Sequence, residues 1–211
     1  GYNALLGASG NSHSNNTAVG YLAGGAVTTG NANTFVGSLA GDALNSGVRT
    51  VAVGYNAGGG ITTGDSNVAI GYQALMTEDA HSNNTAVGAS ALETQNAGAH
   101  AYSTAVGFEA GKSITTGVEN TLIGGVAGDA LTDADYNVIV GSYALTTDTL
   151  GSKSTAVGAA ALNKQNFTTA TDSFNTALGF SAGKEVITGR YNTLVGALSG
   201  DALTTGAENV A

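Results

Sequence analysis

The sequence predicts an all-β chain: a parallel β-roll or solenoid of about twelve coils, each roughly seventeen positions long. Three observations predict it. A short phrase, NNTAVG or a variant such as SNVAIG, recurs along the whole chain, and its closing glycine returns at a nearly fixed interval. The phrase is rich in β-branched residues and apolar at successive positions, the mark of a buried parallel strand. The 211 residues include 33 glycines and no proline, whose missing N–H would interrupt a continuous ladder. Fixed-period self-similarity of this kind is the signature of stacked repeats.

The recurring glycines are Gly1, Gly20, Gly37, Gly54, Gly71, Gly88, Gly107, Gly124, Gly141, Gly158, Gly179 and Gly196. With each taken as position 0, position −1 is always Val, Ile or Leu: Val19, Val36, Val53, Ile70, Val87, Val106, Ile123, Val140, Val157, Leu178 and Val195. Position −3 is Thr or Val, and position −2 is mostly Ala, with Phe35, Leu122, Ile139 and Leu194 interrupting. Positions −4 to +3 therefore read as the main strand, and about +5 to +9 as a weaker second strand closing a two-layer roll. Position −4 is mostly Asn, which stacking would align into an amide ladder at a corner. Position −7 is often Gly, as expected of a turn with positive φ.

Two columns vary together. Seven coils pair Gly at +4 with an aliphatic residue at +7, as in Gly24/Val27 and Gly41/Leu44. The other five carry Leu at +4, namely Leu5, Leu75, Leu92, Leu145 and Leu162, with no aliphatic residue at +7. Each coil thus supplies one large filler to a shared interior, the compensation that close packing demands. The −1 column is expected to fill the roll alongside it. Alternation then turns −2 outward, making Ala18, Phe35, Leu122, Ile139 and Leu194 candidate contacts with further copies of the chain. So thin an interior must offset roughly 1–2 kcal/mol of backbone entropy per residue, which predicts a homo-oligomer.

The whole of 1–211 reads as one repetitive segment, cut within a repeat at both ends. The net charge is −9, the wrong sign for a phosphate-backbone binder, so no nucleic-acid partner is expected. There is no cysteine, hence no disulfide or thiol nucleophile. No apolar run approaches the roughly 18 residues of a membrane span, and no membrane insertion is expected of this segment.

The SNVAIG phrase and its variants, which cover essentially the whole chain, resemble the head repeats of YadA-type trimeric autotransporter adhesins. They also resemble repeats of trimeric phage tail fibres and tail-fibre-like adhesins. The GYxA phrase and TTG turns are closer to the latter, and adhesin head repeats are typically shorter than the period seen in this chain. The resemblance implies left-handed rolls wound as an intertwined or side-by-side homotrimer, extracellular, on a bacterial surface or a virion. It implies presentation or spacing of a region that binds a surface receptor, glycan or protein, with no catalysis and no cofactor.

Recognition is expected in the longer polar loops of the Leu-type coils, with Glu78, His81, Glu93, Gln95, His100, Tyr102, Asp148, Lys153, Lys164, Phe167 and Asp172 as candidates. Decoration of a ligand-free spacer is the competing reading. His13, His81 and His100 share position −7, where a threefold axis could gather them round a metal; replacement of a turn glycine is the plainer reading. The acidic residues designate no catalytic pair, and Asp133 and Asp135 read as solvated turn acids. Aromatic residues at +1 (Tyr2, Tyr21, Tyr55, Tyr72, Phe108, Phe180) read as a packing column. Threonine pairs such as Thr28-Thr29 and Thr62-Thr63 suggest an ice-binding face, but Asn45-Ser46, Asp79-Ala80 and Gly98-Ala99 break the array.

Overall fold

A computed structural model describes residues 1–7, 12–98 and 100–211. Its described residues contain no helix. The strands run β1 (Thr17–Val19), β2 (Thr34–Val36), β3 (Val51–Val53), β4 (Val68–Ile70), β5 (Thr85–Val87), β6 (Thr104–Val106), β7 (Thr121–Ile123), β8 (Val138–Val140), β9 (Gly151–Ser152), β10 (Thr155–Val157), β11 (Thr171–Asp172), β12 (Thr176–Leu178) and β13 (Thr193–Val195). All but β9 and β11 form one 11-stranded parallel sheet in chain order, the geometry of a β-solenoid. At about 4.8 Å per strand the sheet is roughly 50 Å long.

Register follows the sequence columns. Thr17, Ala18 and Val19 face Thr34, Phe35 and Val36, and the match persists across the longer coil that joins β10 to β12. Extra residues are therefore absorbed outside the sheet. The ladder continues beyond the strands, with Gly37 N donating to Val19 O at 2.8 Å and Gly24 N to Ala40 O at 2.9 Å.

The second strand expected at +5 to +9 does not form. That segment is a turn, although it too bonds to the next coil, with Ala26 N donating to Asp42 O and Thr115 N to Thr132 O. Tight bends leave too few successive extended residues for a strand. The other sheet is the two-stranded pair of β9 with β11, near the longest coil.

Inside and outside are the reverse of what the sequence suggests. Phe35, Leu122, Ile139 and Leu194, expected to face other chains, are fully buried among the alanines of their own −2 column, and Ala18 packs against the same core. The expected core residues point outward instead. Val19, Val36, Ile70, Val106, Ile123, Leu178 and Val195 are 37–58% exposed, and Val53, Val87, Val140 and Val157 are half-buried. The interior is narrow, so it takes alanines at −2 and +3 and leaves the β-branched column on the surface.

The filler columns do point inward. Val27, Leu44, Ile61, Ile114, Leu131 and Val186 at +7 are fully buried, as are Leu75, Leu92, Leu145 and Leu162 at +4. A third column joins the compensation. A Cβ added at Gly41 would overlap the Phe35 ring, and one at Gly111 or Gly128 would come within 2.7 Å of a Leu122 methyl. Large residues at −2 thus stand where neighbouring +4 positions are glycine.

Left-handed backbone occurs three times per coil, at +2, +4 and −5, and position 0 has φ near +135°. The glycines at −7, Gly30, Gly47, Gly64, Gly117 and Gly189, have no positive φ, contrary to expectation. Space explains them: a Cβ on Gly30 would lie 2.6 Å from Gly47 O, and one on Gly47 would lie 2.5 Å from Gly64 O.

The side chains at −4 form a buried ladder that ties coil to coil through the backbone. Asn137 is typical: its Oδ1 accepts from Ser154 N at 2.8 Å and its Nδ2 donates to Gly151 O at 3.0 Å. Such an amide satisfies one backbone donor and one backbone acceptor of the following coil, groups that burial would otherwise leave unpaired.

Candidate recognition surfaces

Strand alternation fixes what the sheet offers its surroundings. Positions −3 and −1 share the outward side, so Thr and Val side chains at −3 flank an unbroken line of Val, Ile and Leu at −1. Aromatic residues at +1 border it. Tyr2 stacks on Tyr21 with ring centroids 6.0 Å apart, and Tyr55 on Tyr72 at 5.5 Å, yet all four remain exposed. Phe108 and Phe180 at +1 are exposed as well. The aromatics read as a packing column are therefore exposed along the rim of the face, four of them stacked in pairs. The result is a flat apolar strip that repeats in every coil.

The Leu-type coils split the expected recognition residues into two groups. Glu78, Gln95 and Asp148 are fully buried and Phe167 is nearly so, which removes all four from any recognition surface. Glu78, Gln95 and Asp148 occupy +7, the inward position that the other coils fill with Val, Leu or Ile. In the four later Leu-type coils the +7 side chain is polar, and Glu78, Gln95 and Gln165 bond to side chains of the −4 column. Gln95 Nε2 donates to Gly117 O at 3.1 Å and to Ser103 Oγ at 3.3 Å, replacing the amide that Ser103 lacks. Gln165, also at +7, donates to Ser154 Oγ at 2.9 Å and accepts from Asn175 Nδ2 at 2.8 Å. The common register of these residues in the repeat was the available signal for their inward direction.

Two buried carboxylates belong to this interior network. Asp148 Oδ1 accepts from Phe167 N at 2.8 Å and Gly151 N at 3.1 Å, and Oδ2 accepts from Gln165 Nε2 at 2.6 Å. Burial raises the Asp148 pKa above the usual carboxylate range, against the pull of those donors. Burial also raises Glu78, whose Oε1 lies 2.6 Å from His81 Nδ1, a contact that opposes the rise.

The remaining candidates reach solvent. Glu93 is half-buried, and Lys164 is exposed and donates to Glu185 Oε2 at 2.6 Å. His100 is exposed beside Tyr102, with centroids 5.8 Å apart. His13 is half-buried in the first full coil, and His81 is tied to Glu78. Among the described residues no three His, Cys, Asp or Glu side chains converge in a way that would hold a metal ion. Thr28, Thr62 and Thr115 donate through Oγ1 to atoms of the next coil. Of the residues that break the threonine array, Ala99 lies outside the described residues.

Lys153 and Asp172 belong to the most irregular part of the chain. The coil from Gly158 to Gly179 is longer by four positions than the one before it, from Gly141 to Gly158. Beside it opens a cavity of about 540 Å³ lined by Asp133, Asp135, Ser152, Thr171, Asp172 and Arg190, with Ala170 at its side. Lys153 Nζ is 2.6 Å from Asp172 Oδ2, and Arg190 donates to Asp172 O through Nε at 3.0 Å and Nη2 at 2.7 Å. Sequence reading did not single out Arg190 or Tyr191, because nothing in a linear pattern places them beside residues two and three coils earlier.

No protein-family model matches the chain, and comparison with curated proteins and with solved structures gives no significant match.

Proposed function

We propose that this chain is a segment of a non-enzymatic extracellular fibre, in which three copies pack through the −3/−1/+1 face and present or space a receptor-binding region. The observation that carries the reading is the exposed apolar strip itself. Soluble monomers rarely expose contiguous apolar patches beyond a few hundred Å², and larger ones mark interaction sites. This strip repeats with the coil, so a partner able to cover all of it must share the period, and another copy of the chain does. The number three and the setting outside the cell come from the resemblance of the SNVAIG phrases to trimeric adhesin and tail-fibre repeats.

Covering the strip also answers the thinness of the interior. Each Val or Ile is already about half covered, so burying the rest against a neighbouring copy contributes about 1 kcal/mol, a gain repeated down the sheet. Replacing Val53, Ile70 and Val87 together by Lys tests the reading. Light scattering should show the assembled species lost and circular dichroism a lower melting temperature; unchanged mass and melting temperature would refute it.

A further inference from the structure

We propose that the cavity beside the longest coil, together with the Phe174–Tyr191 ring pair at its edge, is a binding site for a neutral oligosaccharide. The inference rests on the fibre reading only for the expectation that the chain meets glycan-bearing surfaces.

The patch combines the two surfaces that a sugar presents. Phe174 and Tyr191 stack with centroids 5.3 Å apart and planes 15° from parallel, and both are nearly half exposed. The exposed part of this pair offers apolar area for the C–H groups of a pyranose ring at small conformational cost. The adjoining cavity supplies partners for hydroxyl groups: carboxylates, the hydroxyls of Ser152 and Thr171, and the Arg190 guanidinium. Asp133 Oδ1 accepts from Thr116 Oγ1 and Asp135 Oδ1 from Val118 N, and among the described residues the Oδ2 of each accepts no hydrogen bond from the chain. A concave polar pocket next to an apolar platform is the usual composition of a small-ligand site.

The site is held in place before any ligand arrives. Arg190 lies over the Tyr191 ring at 5.0 Å and is anchored on Asp172 O; Lys153 Nζ is 5.4 Å from the Phe174 centroid and pairs with Asp172. Prefixed side chains lower the ordering cost of binding. Charge narrows the ligand class. Asp133, Asp135 and Asp172 face only Arg190 and Lys153 in a chain of net charge −9, so sialylated or sulfated glycans are disfavoured.

The patch is also local, unlike the apolar strip. Phe174 and Tyr191 stand at −5, a column that elsewhere holds Tyr102 and Tyr136 as well as Asn15, Ala32, Ser66 and Glu119, but only at Phe174 and Tyr191 do aromatics fall in consecutive coils and stack. A self-assembly face must recur in every coil. A stacked aromatic pair formed only where the inserted coil meets the next has no such period, and a discrete ligand suits it.

The test is a microarray of neutral oligosaccharides alongside sialylated and sulfated ones, probed with the assembled chain and with the double variant Phe174→Asn/Tyr191→Asn. Asparagine fits the left-handed φ of 51° and 59° at these positions, and Asn15 and Asn83 already occupy the column. Circular dichroism checks that the variant folds; should it not, Asp133→Ala on the exposed turn carries the same expectation. Neutral oligosaccharides should be retained by the parent chain and bound at least tenfold more weakly by the variant. Retention of anionic glycans alone, equal binding by the variant, or no retained glycan would overturn the proposal. A chain that self-associates yet retains no glycan would refute the site and leave the fibre reading standing.

Discussion

Gln165 Nε2 donates to Asp148 Oδ2 at 2.6 Å between side chains that are both fully buried, one coil apart in the same +7 column. The neighbouring coils at that position carry Leu131 and Val186, so a polar pair replaces two aliphatic fillers in an otherwise apolar interior. The exchange works because Leu145 and Leu162 at +4 supply the missing volume, and because every side-chain oxygen of Asp148 meets a donor.

That carboxylate should give the fold a pH dependence of unusual sign. With its folded pKa raised by burial, Asp148 binds a proton more readily folded than unfolded. Its contribution therefore stabilises progressively as pH falls from neutrality through the folded value, and the gain is complete near the ordinary carboxylate value. Glu78 acts in the same direction. As pH falls from neutrality to about 4, the ordinary carboxylate range, the melting temperature should rise less in the double variant Asp148→Asn/Glu78→Gln than in the parent chain. Equal rises would exclude these two groups as the source.

Truncating the ladder should be costly. Asn137→Ala leaves Ser154 N–H and Gly151 C=O without partners in a buried stretch. At about 1–3 kcal/mol per unsatisfied group, the loss is expected to be about 2–6 kcal/mol in chemical denaturation. A loss below about 0.5 kcal/mol, the low end for a net hydrogen bond, would mean that water readily replaces the amide.

Gly41 and Phe35 should be energetically coupled. Gly41→Ala adds a methyl group against the Phe35 ring at a φ of 56°, so it should destabilise on both counts. In a double-mutant cycle with Phe35→Leu, the steric part should be relieved and the conformational part retained, giving a coupling within the roughly 0.5–3 kcal/mol typical of contacting residues. Strict additivity would contradict the three-column packing.

Val126 carries a backbone penalty that nothing requires. It adopts φ 52° at a half-buried +2 position where Asn3 and Asn56 stand in other coils, and a β-branched side chain is poorly suited to that region. Val126→Asn should raise the melting temperature by an amount equivalent to about 0.5–1 kcal/mol. A lower melting temperature would mean that the Val126 methyls make contacts worth more than the strain.

The columns themselves were legible in the sequence, down to the pairing of +4 with +7. Which side of the strand faces inward was not. Alternation separates Val53 from Ala52 but does not say which is inside, and the usual preference for large apolar residues in a core points the wrong way in so thin a coil. The discriminating clue was present in Phe35, Leu122 and Leu194, bulky side chains at −2 in coils that carry glycine at +4. Glu78, Gln95 and Asp148 were misplaced for a related reason: polar residues in long loops read as solvated, whereas +7 points inward in every described coil. The cavity beside Arg190 depends on residues brought together from four coils, and no local pattern encodes that meeting.

The central claim is that the outward Val and Ile column is covered by further copies of the chain. The native mass in sedimentation equilibrium, followed over a dilution series, tests it most directly. The account predicts three 20.5 kDa chains per particle, with loss of β-sheet circular dichroism when dilution separates them. A single 20.5 kDa chain that keeps its fold and melting temperature throughout the series would contradict it.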